Sequence, residues 1–415
     1  MIMNIPFSPP YIDQSVIDQV LDTLKAEWIT TGPKVKALEQ EVLELTGTKS
    51  AICVNSWTSG AIMMMKWFGI KEGDEVIVPA YTYCATALSV LHCGATPVMV
   101  DILDDFTINP SKIKAAITSK TKAILAVDIA GLPCRYDAIS AIIKDPDIRH
   151  LFEPDSSKQA LLGRILLISD AAHSIGAVYN GLSSAKKADI TIFSFHAVKN
   201  ITTAEGGCIC LNLPEVFDNS AEYIFLKMFS LNGQTKDAFT KANGGSWRYD
   251  IISKGFKINM PDICAAIGLA QIRQYKSELL LRRKQIANSY CKGFKLCDWF
   301  ISPVLRDKNR ESSYHLFPLR IKNITEEERD QIIDFLLTTG VHANVHFIPM
   351  PMLSYFKSIG YVMRDYPNSL KQYSCEISLP IYPQLTDREV EYIIENVIEG
   401  VKRTVYNNQL VEVAI

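Results

Sequence analysis

Ser194-Phe195-His196-Ala197-Val198-Lys199-Asn200-Ile201-Thr202-Thr203-Ala204-Glu205-Gly206-Gly207 carries one lysine between two apolar runs. Ala188-Asp189-Ile190-Thr191-Ile192-Phe193 before it and Gly207-Cys208-Ile209-Cys210-Leu211 after it have the length and residue types of strands. Lys199 therefore lies on a short connection, where a rigid sheet aims a side chain at a ligand. Upstream, Leu166-Leu167-Ile168-Ser169-Asp170-Ala171-Ala172-His173 reads as a buried strand that ends in an acid. An acid at a strand's C-terminal end, followed by small residues, sits where open α/β sheets put ligand chemistry.

Outward from these two points, helical and strand patterns alternate over residues 13–211. Val35, Leu38, Val42 and Leu45 are spaced for one helix face, and Val76 to Pro79 follows the turn signal Glu72-Gly73-Asp74. Residues 96–102, 122–127, 164–169 and 190–195 repeat the strand signal. Such alternation predicts an α/β fold with a mostly parallel sheet covered on both faces. The pattern changes after about residue 265. A long helix over 261–291, a strand over 313–321 and helices over 326–337 and 386–405 predict a smaller α+β domain. The expected division is a large domain, 1–265, and a small C-terminal one, 266–415. Residues 145–163 make an unusually long connection, read as a surface loop, with a lid or a contact arm as alternatives.

Taken singly, a lysine is usually a solvated charge and an aspartate after a strand a turn or helix cap. Together and in this order they suggest pyridoxal 5'-phosphate, which needs an amine to hold it as a Schiff base and a carboxylate against its ring nitrogen. A phosphate would sit at a helix start. Asn55-Ser56-Trp57-Thr58-Ser59-Gly60 follows the short apolar strand 51–54 and precedes a helical run, although Ser56 or Thr58 could equally be a plain N-cap.

The segment 191–207 resembles the lysine motif of the DegT/StrS sugar aminotransferases, within the fold-type I enzymes that use pyridoxal phosphate. Glu27-Trp28-Ile29-Thr30-Thr31-Gly32-Pro33, Gly73 to Pro79, Gly94 to Asp101 and Asn259 to Leu269 agree with that family in the same order, so the resemblance spans residues 5 to 401. It is nearest to the branch that aminates C4 of UDP-linked 4-keto sugars, such as the enzyme making 4-amino-4-deoxy-arabinose.

The resemblance implies roles by position. Lys199 is the Schiff-base lysine and general acid/base, and Asp170 the partner of the ring nitrogen. Trp57, Thr58 and Ser194 form the phosphate cup, although relatives carry a small residue where Trp57 stands. Tyr83 stacks on the ring, and His173 is a secondary contact near the phenolic oxygen, whereas His196 is a structural group. Asn259, with Lys257 as the alternative, reaches the neighbouring subunit's phosphate, which implies a homodimer with composite sites. Thr31, His315 and His346 contact the substrate. Asp128 stands where relatives often place histidine.

L-Glutamate is then the amino donor, pyridoxamine phosphate the carrier between the two half-reactions, and a nucleotide-linked keto sugar the acceptor. UDP is the first choice of nucleotide, before dTDP or GDP, and the product an amino sugar for a cell-surface glycan such as lipid A or O-antigen. Three other readings remain. A sugar dehydratase on the same fold would replace the lysine by histidine. A non-catalytic regulator would leave Lys199 and Asp170 idle. An amino-acid aminotransferase would want an arginine clamp, for which Arg320 and Arg364 are the available residues.

Composition is consistent with these expectations. With 415 residues, 48% hydrophobic, the chain can bury a large core. A net charge of −2 without a basic block argues against nucleic acid as the main partner. The ten cysteines lie in apolar runs and read as reduced core thiols. Cys208 and Cys210 share a strand face, but no second pair has metal-site spacing, so no metal is expected. No leader-like N-terminus or run of about 18 apolar residues occurs, so no membrane partner and a cytoplasmic location are expected.

Overall fold

The computed structural model describes residues 3–242 and 247–406. Its strands are β1 (Ser50–Val54), β2 (Glu75–Pro79), β3 (Thr96–Val100), β4 (Thr121–Val127), β5 (Leu166–Asp170), β6 (Val178–Tyr179), β7 (Leu182–Ser183), β8 (Ile190–Ser194), β9 (Gly207–Leu211), β10 (Phe300–Ile301), β11 (Arg310–Glu311), β12 (Phe317–Ile321) and β13 (Glu376–Leu379). Seven of them form one sheet in the order β1-β9-β8-β5-β4-β2-β3. The strands from β3 to β8 in that order run parallel, while β9 is antiparallel to both β8 and β1. The expected α/β class, mostly parallel and covered on both faces, is what the chain adopts. β1, β4, β5, β8 and β9 are buried along their whole length, which is why they read as unbroken apolar runs.

Register decides what the strand ends bring together. Val127 pairs with Asp170 and Asp170 with Ile192, so β4, β5 and β8 finish at one edge of the sheet. Gly207, the first residue of β9, pairs with Ser194 on one side and Val54 on the other. The end of β8 therefore meets the end of β1 and the helix start beyond it. Only glycine fits this junction: a Cβ on residue 207 would lie 2.8 Å from the Phe193 carbonyl oxygen and 2.9 Å from the Trp57 nitrogen.

A second core forms around β12 and β13, with Ile286, Tyr290 and Phe294 from one helix and Ile393 and Val397 from another. The helix expected over 261–291 is broken. It runs as Asp262–Gln274, a π-helical turn at Tyr275–Leu279, and Leu280–Phe294. The first part packs on the helices Gln14–Lys25 and Pro33–Thr46, the last on Asp387–Val401. The turn thus redirects one helix between two cores, and it buries Tyr275, whose hydroxyl donates to the Ile175 carbonyl at 2.7 Å. The strand expected from residue 313 begins only at Phe317. Ser313 and Leu316 instead give their N–H groups to the Gly131 and Ala130 carbonyls, and Tyr314 between them has φ of 54°.

Residues 145–163 are not a plain surface loop. They form two short helices, Pro146–Leu151 and Ser157–Leu162, capped by Asp145 and Ser156. Ser156 Oγ and Gln159 Nε2 both donate to the Phe68 carbonyl, at 2.8 and 3.2 Å, and so close the C-terminal end of the helix Trp57–Phe68. Sequence periodicity missed these helices because each has only about one and a half turns. Among the described residues no helix is long and apolar enough to cross a membrane.

The helix Pro33–Thr46 takes its cap from far along the chain. Gly32 has no side chain to offer, and buried Asp262 accepts from the N–H groups of Gly32, Lys34 and Val35 at 2.8, 3.0 and 3.0 Å. A carboxylate on three free donors at a helix start is favourable for both hydrogen bonding and the helix dipole. Asp262→Ala should lower stability by about 2–3 kcal/mol in urea unfolding, with a smaller loss for Asp262→Asn. An unchanged midpoint in Asp262→Ala would show the cap to be idle.

Candidate active site

At the C-terminal edge of β4, β5 and β8 lies a cavity of about 420 Å³. His315 and His346, beside the second core, close it together with Phe347, which packs against a smaller cluster around Tyr81 and Phe106, and Phe7 and Ser8 add an N-terminal wall. Of the residues singled out in the sequence, Trp57, Thr58, Tyr83, Asp170, His173, Ser194, Lys199, His315 and His346 all line it.

Asp170 ends β5 with its carboxyl on the cavity floor, 4% exposed. Thr86 Oγ1 donates to Oδ2 at 2.8 Å and the Ala172 N–H to Oδ1 at 3.2 Å. Burial outweighs these bonds and the nearby Lys199 charge, and raises the carboxyl to about 7. Lys199 stands on a turn closed by its own N–H to the His196 carbonyl. It opens onto the cavity but protein surrounds it, and burial lowers its ammonium to about 8 against the opposing pull of Asp170. A carboxyl pushed up and an amine pushed down in one cavity are what acid/base chemistry near neutral pH requires.

Beside them begins the helix Trp57–Phe68. Ser56 is its N-cap, accepting from the Ser59 N–H at 3.1 Å. The N–H groups of Trp57 and Thr58 precede the first intrahelical bond and point out of the helix start, a ready anion cup. Ser194 at the end of β8 is brought to this cup by the Gly207 junction. The Trp57 indole packs into the large core, and its buried Nε1 has no hydrogen-bond partner among the described residues. It therefore turns away from the cup, leaving only its backbone there.

Two of the cavity histidines, His173 and His315, are held in fixed forms. His173 Nδ1 accepts from the Ala130 N–H at 3.2 Å, and burial, with the charges of Lys199 and His346, lowers the ring well below its ordinary range. The neutral ring must then carry its proton on Nε2. His315 is the reverse. Its Nδ1 lies 2.9 Å from Asn200 Oδ1, whose amide nitrogen donates to Tyr275 Oη and the Ser313 carbonyl, so Nδ1 donates and Nε2 is bare. The two rings are 4.3 Å apart, centre to centre. Tyr83, 60% exposed, stands at the rim with its ring 5.7 Å from Phe347.

Thr31 and Asn259 do not line the cavity. Asn259 Nδ2 donates to Thr31 Oγ1 at 2.6 Å, Thr31 Oγ1 donates to the Met260 carbonyl, and Lys257 Nζ donates to Asn259 Oδ1. The group lies beside β1, with the Asn259 backbone bridged to Val54. Asp128 is also outside, buried beside Asp170, whose carbonyl takes its N–H, and accepting from Cys134 N, Tyr136 Oη and Ser174 Oγ. Its place is structural, because four polar groups converge on it and none is a cavity atom. His196 lines the rim, half exposed, 3.7 Å from Glu205. Neither Arg320, buried against Gln372 and the Asp104 carbonyl, nor the exposed Arg364 lines the cavity. Thr86 was missed in the sequence, although it falls three residues after Tyr83, on the same side of the helix start.

Asp170 makes the site costly for the protein alone. Its folded pKa lies above its ordinary 3.8, so the stability it leaves intact at low pH is lost as pH rises from about 4 through 7. Asp170→Asn, which keeps the shape, should therefore be more stable than the parent at about pH 8, by up to roughly 4 kcal/mol, and close to equal at about pH 4. Urea unfolding of both proteins without ligand checks this. Equal stability at the higher pH would show that the carboxyl is not strained by burial.

The chain is similar to several proteins of known sequence or structure. The solved structure of Spr1654 from Streptococcus pneumoniae, a candidate sugar aminotransferase in its PMP form, is 42% identical, covers 97% of this chain and 100% of its own, and superposes with a TM-score of 0.92. Its PLP form superposes equally well. PseC from Helicobacter pylori, an aminotransferase involved in pseudoaminic acid biosynthesis, is 26% identical with a TM-score of 0.82, over 97% of this chain and all of that one. SpsC of Bacillus subtilis, a spore coat polysaccharide biosynthesis protein, is 34% identical over 404 residues, 96% of this chain and 97% of its own. The uncharacterised MJ1066 of Methanocaldococcus jannaschii is 38% identical over 411 residues, 97% and 99% of the two chains. Residues 10–398 match the family model itself, and the chain belongs to the DegT/DnrJ/EryC1/StrS aminotransferase family.

Proposed function

We propose that this protein is a pyridoxal phosphate-dependent aminotransferase that moves an amino group from L-glutamate to a nucleotide-linked keto sugar. The observation that carries the proposal is the buried pair Asp170 and Lys199 beside an open helix start. The cavity fits the cofactor on its own terms. A buried carboxyl raised to about 7 wants a cation, and a protonated ring nitrogen supplies one. The N–H groups of Trp57 and Thr58, the Thr58 hydroxyl and Ser194 would hold the phosphate, and the glycine at 207 keeps that cup open. Tyr83 would cover a face of the ring, and His173, with its proton on Nε2, would donate to the phenolic oxygen.

Bound there, pyridoxal phosphate supplies an aldehyde that takes up and releases amino groups and a ring that spreads the charge left by a departing proton. The protein supplies the proton movement. Lys199 Nζ, held at about 8, can take a proton and give it back without a large penalty in either direction. With a cationic ring nitrogen against it, Asp170 would hold its negative charge on the floor, with Thr86 fixing the plane of its carboxylate. Phe347 and Phe7 screen the cavity from water.

The acceptor we assign is a UDP-linked 4-keto sugar, with dTDP or GDP as the next nucleotides, and the product an amino sugar for a cell-surface glycan. The resemblance to the branch that aminates C4 favours that position, and the name of SpsC supports a polysaccharide setting. His315 and His346 would meet the sugar. We also assign a homodimer with composite sites. Among the described residues that line the cavity none is an arginine for the carboxylates or the diphosphate, while Lys257 and Asn259 stand outside it on the β1 side. Exposed Trp247, Tyr249, Ile251 and Ile252, interspersed with Arg248 and Asp250, offer apolar surface suited to a second copy.

Loaded with pyridoxal phosphate and given L-glutamate without acceptor, the protein should release one 2-oxoglutarate per site and then stop until a 4-keto sugar nucleotide is added. Lys199→Ala should slow that single turnover by roughly 1000-fold or more. No 2-oxoglutarate from the loaded parent protein would refute glutamate as donor, and turnover without any sugar nucleotide would refute the acceptor class.

A further inference from the structure

One buried acid in the second core has no part in the mechanism above. Glu376 begins β13 and is fully buried. Arg329, from the helix Glu326–Thr338, donates to the Asp330 carboxylate and to the Tyr373 and Glu376 carbonyls, and Arg320, from β12, to Gln372 and the Asp104 and Ser302 carbonyls. Neither bonds the Glu376 carboxyl. Its partners are the His346 N–H, 3.1 Å from Oε2, and the Ser378 hydroxyl at Oε1. The same hydroxyl lies 3.0 Å from His346 Nδ1. His346 lines the cavity, its ring stacked on Phe7 at 5.1 Å. Carboxyl, hydroxyl and imidazole thus form one chain that starts in the core and ends at the cavity. The backbone bonds between Asn344 and Ser378, at 3.1 and 2.7 Å, fix the spacing of the two segments.

We propose that Glu376 is a positioning residue: through the Ser378 hydroxyl it selects which ring nitrogen of His346 bears the proton, and so what Nε2 offers a substrate. A hydroxyl donates one hydrogen, so the chain has two consistent states. With a proton on Glu376, the carboxyl donates to Ser378, Ser378 donates to His346 Nδ1, and Nε2–H faces the cavity as a donor. With Glu376 ionised, Ser378 donates to the carboxylate, His346 Nδ1–H donates to Ser378, and Nε2 is a bare acceptor. A keto oxygen can only accept, so the first state suits a keto sugar. An amine or hydroxyl can donate to the second. This last step rests on the function proposed above; the switch itself does not.

The surroundings keep both states within reach. Burial raises Glu376 to about 8, against the pull of Arg329 and Arg320, and the charges facing it are those two, with Tyr81 from the turn after β2 and Cys375 beside it. Burial and Lys199 lower His346 to about 4, and His173 and His315 face it as neutral rings. The imidazole is therefore neutral across the range in which Glu376 titrates, and the change is one of tautomer and not of charge on the ring.

Nitrogen-15 NMR of the full chain labelled in histidine, without cofactor or substrate, reads the tautomer directly, with the His346 signals assigned by their loss in His346→Gln. Between about pH 6.5 and about pH 9.5 the proton of His346 should move from Nε2 to Nδ1. In Glu376→Gln, whose amide can donate to Ser378 but cannot ionise, it should stay on Nε2 throughout. In Ser378→Ala the pH-dependent switch should vanish, which keeps the test decisive if Glu376→Gln does not fold. A single unchanging tautomer in the parent protein, or a switch that persists in either variant, overturns the proposal. Because no ligand is present, a protein that switches but transfers no amino group would sink the aminotransferase reading alone, and the reverse result would sink only this one.

Discussion

A carboxyl and an ammonium enclosed by apolar strand ends are the constraint from which the rest of this structure follows. Neither Asp170 nor Lys199 has enough water or enough partners to be at ease in its charged form, and each is displaced toward neutrality, to about 7 and about 8. Burial of charge is repaid only by excellent geometry or by a ligand. Here the protein offers Asp170 one hydroxyl and one N–H and leaves the cavity-facing side open. Such strain is tolerable in a chain with two large cores to hold the sheet edge in place.

The scaffold converts that strain into a site through strand register. Because β4, β5 and β8 end together, the acid, the serine and the lysine turn share one edge. Because β9 runs back between β8 and β1, the helix start at Ser56 is drawn to the same place, and the glycine at 207 permits the approach. The second core then lowers His315 and His346 onto the opening. It can do so because the π-helical turn at Tyr275–Leu279 lets one chain segment serve both cores, and Tyr275 itself orients Asn200, which orients His315. Packing, hydrogen-bond direction and tautomer are here successive links of one chain.

Much of this was legible in the chain before any coordinates. Buried parallel strands declare themselves as unbroken apolar runs, so β4, β5, β8 and β9 could be read to within two residues, and Lys199 and Asp170 stood out because they interrupt or end such runs. Less could be read where the cause lies far away in sequence. The cap that Asp262 gives to the helix Pro33–Thr46, the delayed start of β12 and the Glu376–Ser378–His346 chain all join segments about 30 to more than 200 residues apart, and no local periodicity marks them. The helices within 145–163 escaped because they are too short to show a period. Thr86 escaped for a different reason, since a threonine in a helix's first turn reads as ordinary capping until its hydroxyl is seen on Asp170.

Under the proposed function, Lys199 is the amine that would hold pyridoxal phosphate over Asp170. Incubation with pyridoxal phosphate, reduction with borohydride, and peptide mass mapping test it in one step. The added cofactor mass is expected on the peptide containing Lys199, at one per chain. Label spread over several surface lysines, or absent from that peptide, would contradict it.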